Sequence, residues 1–291
     1  MMLIVHHLHS FILETLITPS ELSSAIQFLT ETGQRSTDHG QEFVILSGIL
    51  GISALIDSIH NAKPPGATEG AVIGPFFSED TRDVGSNGDS LGSIASEGKG
   101  FYMYVHGRVT DTQGNPIAGA IIDTWETDGT GLYDNQYEEA ERDGPECRGR
   151  LRSDEEGKYA FRGVVPVSYP IYVDGTAGKL LERLGRHPFR PAHLHLQVEA
   201  PGYETLITQL YFKDDVYVTS DVIFDVKSSL VSDLKPITDP SLSAKRGFVD
   251  PNKVHMELER DLVLATPGEG EAARKKFQEE LTRLATKGIG A

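Results

Sequence analysis

The sequence predicts a mainly β fold with added α-helices: a β-sandwich domain in the middle, a helical region before it and one helix after it. Residues 1–62 repeat their apolar side chains at helical spacing, whereas from Phe101 the period changes to two. Between residues 101 and 265 short apolar runs are separated by Gly/Pro turns with no helical stretch among them, which suits a sandwich or barrel better than a parallel sheet.

Each element has its own signal. Leu3, His6, Phe11, Leu13 and Leu16 give a first amphipathic segment. Thr18-Pro19-Ser20-Glu21 is a helix start, in which Thr18 caps, Pro19 suits the first turn and Glu21 closes a capping box. Ala25, Phe28 and Leu29 supply that helix's apolar face, and Thr32-Gly33 ends it. A third helix over 38–61 carries Phe43, Val44, Ile45, Leu46, Ile49, Leu50, Ile52, Leu55, Ile56 and Ile59. Apolar on nearly every side, it is expected to be buried on nearly every side. Residues 63–100 are rich in Gly, Pro and Ser, and their apolar middle, 70–77, is expected to pack along the next domain. Strands are expected at 101–109, 117–125, 159–165, 193–200, 205–212, 222–226 and 253–264. Thr266-Pro267-Gly268-Glu269 repeats the start signal before a charged closing helix over 272–285. The expected division is therefore a helical region 1–62, a linker 63–100, a β-sandwich 101–265 and a C-terminal helix 266–291.

Composition excludes several classes. The 291 residues carry a net charge of -16, so neither nucleic acid nor an anionic membrane surface is an expected partner. With Cys147 as the single cysteine there is no internal disulfide and no thiolate metal cluster, and a reducing, cytoplasmic setting is expected. Met1 to Val5 is apolar but lacks a basic flank and is followed by His6, His7 and His9, so no signal peptide is read. The longest apolar run, 43–56, is too short to span a bilayer comfortably.

The chemistry gathers around Arg190-Pro191-Ala192-His193-Leu194-His195. In an extended chain residues two apart share a face, so both imidazoles reach one point while Leu194 and Leu196 pack behind them. Alone, this pattern fits two solvated histidines as well as it fits a chelate. Two tyrosines at turn-like positions, Tyr133 and Tyr169, favour the chelate. Phenol has a pKa of about 10, so two phenolate ligands need a hard, highly charged cation, and ferric iron fits better than zinc. Two phenolates, two imidazoles and a hydroxide complete a neutral five-coordinate Fe(III) centre. Tyr137 competes with Tyr133, and the spacing from Trp125 favours Tyr133.

These residues resemble the intradiol ring-cleaving dioxygenases of the catechol and hydroxyquinol 1,2-dioxygenase family. The resemblance runs through Val105-x-Gly107-x-Val109, Gly114, Ile117, Ile122-Asp123-Thr124 and Gly131-Leu132-Tyr133. It continues through Tyr169-Pro170-Ile171, Asp174-Gly175, Gly185-Arg186-His187 and the His193/His195 stretch, covering about residues 20–235. It implies non-haem Fe(III), one per subunit, held by Tyr133, Tyr169, His193 and His195, and an N-terminal helical region that joins a homodimer. The substrates it implies are an aromatic diol and O2. It also implies that Tyr169 leaves the metal and takes a substrate proton, that Arg190 sets a positive charge beside the activated ring, and that Gln209 donates to the oxygenated substrate. Ring-facing positions of the family fall on Ile45, Gly48, Val72, Ile73, Gly74, Pro170 and Ile171.

The pattern around Tyr169 and Asp174-Gly175 is closer to hydroxyquinol enzymes, which cleave 1,2,4-trihydroxybenzene, with a catechol 1,2-dioxygenase acting on substituted catechols as the alternative. Hydroxyquinol enzymes tend to carry an acidic residue in place of Gly48 and phenylalanine in place of Ile73, and Tyr172 replaces a more usual proline. Two rival readings remain. A cupin oxygenase is suggested by His193-x-His195-x-x-x-Glu199, although no Pro-x-Gly-x-x-x-His partner follows. The other is a non-catalytic β-sandwich binding module. His106 and His187 are read as structural, and Cys147 as a plain free thiol.

Overall fold

The computed structural model describes residues 2–37, 41–85 and 92–286. The expected start of the third helix at 38–40, part of the linker at 86–91 and the last residues 287–291 lie outside the described residues. The helices are α1 (Met2–Thr15), α2 (Pro19–Arg35), α3 (Glu42–Ile49), α4 (Ile52–His60), α5 (Thr176–Arg183), α6 (Pro240–Lys245) and α7 (Pro267–Thr286). The strands are β1 (Arg82–Asp83), β2 (Tyr102–Asp111), β3 (Ile121–Trp125), β4 (Arg148–Arg152), β5 (Lys158–Val164), β6 (Tyr169–Pro170), β7 (Phe189–Arg190), β8 (His193–Glu199), β9 (Leu206–Phe212), β10 (Val231–Ser232), β11 (Lys235–Ile237), β12 (His255–Glu259) and β13 (Leu262–Leu264).

Two compact units form. One holds Met1–Leu50 with Tyr172–Pro188, the other Gly51–Ile171 with Phe189–Ala291. In the helical unit the capping box at Thr18 is present: the Thr18 N–H donates to Glu21 Oε2 at 2.8 Å, and the Glu21 N–H donates to Thr18 Oγ1 at 3.3 Å. Helix α5 was not foreseen because its start, Gly175, offers no capping side chain. Buried Glu42 of α3 caps it instead, accepting the Ala177 N–H at 2.8 Å, and Thr32 of α2 meets Thr176 at 2.7 Å.

The expected single helix over 38–61 is two helices, because Gly51 turns the backbone to φ +72 between them. Nor is it buried on every side: Phe43, Val44, Leu50, Ile52, Leu55 and Ile56 are exposed, since an apolar side chain is buried only where a neighbour covers it. Helix α1 buries none of its residues.

In the second unit two mixed sheets form the sandwich. The first runs β1-β4-β3-β8-β9-β10 and the second β11-β12-β2-β13, with β5 on the other side of β2. Leu194, Leu196, Val198, Ile122 and Leu210 from the first sheet share one buried cluster with Val105, Val109 and Phe161 from the second. The expected strand 253–264 is two strands, both parallel to β2, broken where the Arg260 N–H donates to the His106 carbonyl and Asp261 accepts the Arg108 N–H. The expected strand 117–125 begins only at Ile121, and β4 was missed, its charged sequence Arg-Gly-Arg-Leu-Arg hiding the alternation. Residues 222–226 form no strand: Phe224 sits at φ +60, and the segment turns to aim Asp221 and Asp225 inward. Helices α5 and α6 do interrupt the succession of strands, contrary to expectation.

Candidate active site

Strict alternation along β8 sends Leu194, Leu196 and Val198 into the sandwich core and His193 and His195 to the opposite face. The register adds neighbours on that face: His195 pairs with Trp125 on β3 and with Gln209 on β9, and His193 pairs with Tyr211. The Trp125 indole stacks on the His195 ring, centroids 4.6 Å apart and planes 8° from parallel. The site therefore lies on the outer surface of one sheet, under cover of loops.

One loop brings Tyr133. Asp128 Oδ1 accepts the Thr130 N–H at 2.8 Å and the Leu132 N–H at 3.2 Å, winding the chain so that Gly131 takes φ +89. Asp128 Oδ2 accepts the Tyr137 hydroxyl at 2.8 Å, which leaves Tyr133 as the tyrosine that turns into the site. Arg148, ion-paired with Asp134, donates to the Phe76 carbonyl, and the Phe76 ring stacks on Tyr133 at 4.3 Å. Tyr169 arrives on the short β6–β7 ladder, where it pairs with Arg190.

The four side chains meet. His193 Nε2 and His195 Nε2 are 3.1 Å apart, and Tyr133 Oη lies 3.1 Å from His195 Nε2, 3.3 Å from His193 Nε2 and 3.5 Å from Tyr169 Oη. His193 Nδ1 donates to the Pro191 carbonyl at 2.7 Å, so the lone pair on Nε2 points at the shared centre. Burial, and then the nearby Arg190 charge, hold the His193 imidazole well below its ordinary pKa; burial and the neighbouring His193 do the same for His195. Both rings are therefore neutral, each able to offer a nitrogen lone pair to a cation. Burial and the adjacent Tyr169 push the Tyr133 phenol well above its usual value, so only a strong cation at the centre makes it a phenolate. Among the described residues no group of three His, Cys, Asp or Glu is placed to hold a metal, so a cation here needs the phenols. Two inward imidazoles with two phenols form a donor set that suits Fe(III).

Beside the centre, Arg190 is buried. Its Nη1 lies 3.2 Å from His193 Nε2, while Nη2 donates to Gln209 Oε1 at 2.9 Å and to Tyr211 Oη at 3.0 Å. Burial disfavours the guanidinium charge, but Asp221, Tyr211, Tyr169 and Asp225 outweigh it and hold the pKa well above the ordinary arginine value. Gln209 Nε2 donates to the Val72 carbonyl at 2.5 Å.

The other expected site residues divide. Val72 and Gly74 belong to this neighbourhood: the Val72 N–H donates to Asp225 at 3.3 Å, and a Cβ on Gly74 would stand 3.2 Å from His195 Cε1. Ile73 and Pro170 are exposed and Ile171 half-buried, with Pro170 paired to Phe189. Ile45, half-buried, and Gly48, buried, lie on α3 of the helical unit. Glu199 is exposed at the end of β8 and bonds to Gln197, away from the histidine cluster. Cys147 is buried, and burial pushes its thiol far above the reactive range. Sequence reasoning missed Tyr211, Asp221, Asp225 and Phe76. Tyr211 carried a signal, two residues from Gln209 on the same strand face.

Comparison with known proteins gives a consistent result. Residues 1–68 match the family described as catechol dioxygenase N terminus, and residues 72–265 match the family described as dioxygenase. The chain is 44% identical to an intradiol ring-cleavage dioxygenase of Aspergillus niger, over 98% of this chain and 84% of the relative. It is 43% identical to a 6-chlorohydroxyquinol 1,2-dioxygenase of Cupriavidus pinatubonensis, over 84% of this chain and 87% of the relative. The solved structure of a hydroxyquinol 1,2-dioxygenase from Pseudomonas putida superposes with a TM-score of 0.82 at 38% identity, covering 90% of this chain and 89% of that one.

Proposed function

Because the chain belongs to the intradiol ring-cleavage dioxygenases, which open aromatic 1,2-diols with O2, we propose that Tyr133, Tyr169, His193 and His195 hold one non-haem Fe(III) per subunit. The observation that carries this reading is the meeting, in a buried place, of two imidazole nitrogens and the Tyr133 oxygen at 3.1–3.3 Å, with the Tyr169 oxygen 3.5 Å from that of Tyr133. Held by these four side chains, Fe(III) would supply the charge that draws electrons from the diol oxygens and readies the ring for O2.

The chain's own groups divide the remaining work. Tyr169 keeps 8% of its surface exposed against 0% for Tyr133 and 1% for each histidine, so it is the member of the four with room to swing aside. Turned toward the substrate, its Oη would be placed to accept a proton from the diol hydroxyl. Arg190 Nη1 sets a fixed positive charge at the edge of the site, where negative charge grows on the ring. One hydrogen of Gln209 Nε2 goes to the Val72 carbonyl, and the other is left to donate to the oxygenated substrate. The half-buried rings of Phe76 and Phe77, packed against Tyr133 and buried Trp125, help to exclude water from the reacting face.

The proposed substrate is a hydroxyquinol-type diol, 1,2,4-trihydroxybenzene, cleaved between its vicinal hydroxyls to a maleylacetate-type product with both oxygen atoms incorporated. The named hydroxyquinol relatives support this. A second reading, a substituted catechol opened to a muconate, is favoured by the sequence, which has Gly48 where hydroxyquinol enzymes tend to carry an acidic residue. Oxygen uptake by purified, iron-loaded protein on hydroxyquinol, catechol, protocatechuate and chlorinated or alkylated catechols decides between them. A colourless protein without iron after expression in iron-replete medium overturns the centre itself, since phenolate bonded to ferric iron absorbs visible light.

The subunit is proposed to pair with a second copy through its N-terminal helices. Leu3, Ile4, Leu8, Phe11, Leu13 and Leu16 are all exposed along one short stretch, more apolar surface than a lone chain keeps in water.

A further inference from the structure

We infer that Asp221 is a positioning residue for the reaction, acting through Arg190. This rests on the proposed iron centre and adds to it a buried carboxylate behind the arginine. Asp221 Oδ1 accepts from Arg190 Nε and Oδ2 from Arg190 Nη2, both at 3.3 Å, with the two side chains 2% and 5% exposed. The same two oxygens are held by their own loop: Oδ1 accepts the Ile223 N–H at 3.4 Å and Oδ2 the Asp225 N–H at 3.1 Å. The carboxylate is thereby pinned before it meets the guanidinium.

The result is an arginine with one free end. Nε is taken by Asp221, and Nη2 by Asp221, Gln209 and Tyr211, so Nη1 alone is turned toward His193 and the reacting face. A planar guanidinium gripped along one edge cannot rotate without breaking several bonds at once. Asp225 is the lesser partner, because it stands 3.8 Å from Nη2 and shares its Oδ2 with the Val72 N–H and the Tyr211 hydroxyl.

Position and charge can be separated by substitution. Asp221→Glu keeps the negative charge but moves the carboxylate by roughly one carbon–carbon bond, about 1.5 Å. Asp221→Asn keeps the shape, but both oxygens accept, so either orientation of the amide sets an NH2 against an N–H donor. For both variants in the iron-loaded protein, kcat is expected to fall by about 10- to 100-fold, as misplacement of a charge by an ångström does. The KM for the diol and the visible band are expected to stay near wild type. A role confined to charge balance or folding predicts the opposite for Asp221→Glu. Wild-type kcat in that variant at equal iron content overturns the inference while leaving the iron centre standing, whereas a colourless wild type overturns both. Should Asp221→Glu not accumulate as folded protein, Asp221→Asn decides: a fall in kcat of that size at unchanged KM and equal iron content supports the inference, and wild-type kcat overturns it.

Discussion

Replacing Gly74 by alanine probes how tightly the His195 ring is held. Gly74 sits at φ +74, where an L-residue costs about 1–2 kcal/mol more than glycine. Its new Cβ would also stand 3.2 Å from His195 Cε1, closer than ordinary contact. The ring cannot slide freely, because Trp125 lies flat against it at 4.6 Å. Tilting it off its preferred rotamer adds on the order of 1 kcal/mol, for a total of about 2–3 kcal/mol. In a unit of this size that lowers the midpoint of thermal unfolding by roughly 4–12 °C. Gly66 supplies the control: it has φ +88 with nothing within 4 Å of a Cβ, so Gly66→Ala carries backbone strain alone. Thermal unfolding of the iron-stripped proteins measures the strain, and titration with iron, followed by the visible band, measures the effect on His195. Gly74→Ala is expected to be the less stable of the two and to bind iron more weakly. Equal melting and equal iron uptake in the two variants refute the sandwiched ring.

Three further expectations follow from the same geometry. Tyr169→Phe should keep most of the iron, through the three more buried side chains, yet lose most turnover; unchanged oxygen uptake removes the base role from its Oη. Sedimentation at micromolar concentration should find two chains together, and Phe11→Glu on exposed α1 should give single chains; a wild-type monomer refutes the helical interface. The Asp225 carboxyl is raised from 3.8 to about 6, first by burial and further by Asp221, with Arg190 opposing. A raised folded pKa means its stabilising contribution is complete below the unfolded value and is lost as pH rises through the folded one, an effect of about 3 kcal/mol at most. Asp225→Asn lacks that loss, so its melting temperature relative to wild type should climb between pH 4 and pH 6.5 and level off above; a constant difference refutes the shift.

What the sequence discloses is the face on which a side chain lies. The period of two in Ala192 to Val198 assigns both histidines to one side of β8, and Asp128-Gly129-Thr130-Gly131 carries a turn that delivers Tyr133 there. Occupants of that face are harder to read, because they come from loops whose direction depends on bonds formed at a distance. Asp221 and Asp225 look like surface acids in a chain with 43 of them, and only their bonds to Arg190 and Val72 distinguish them. The alternation of Val222, Phe224 and Val226 imitates a strand, yet the segment is a turn that buries both carboxylates and Val222 while leaving Phe224 exposed and Val226 half-buried. The same limit governs the N-terminal helices. In β8 the apolar pattern reports a core that the chain itself provides, whereas in α1 an equally apolar pattern comes with no buried residue at all. A pattern states the demand for burial; whether one chain meets it depends on what else folds against that face, and for α1 the proposed answer is a second copy of the chain.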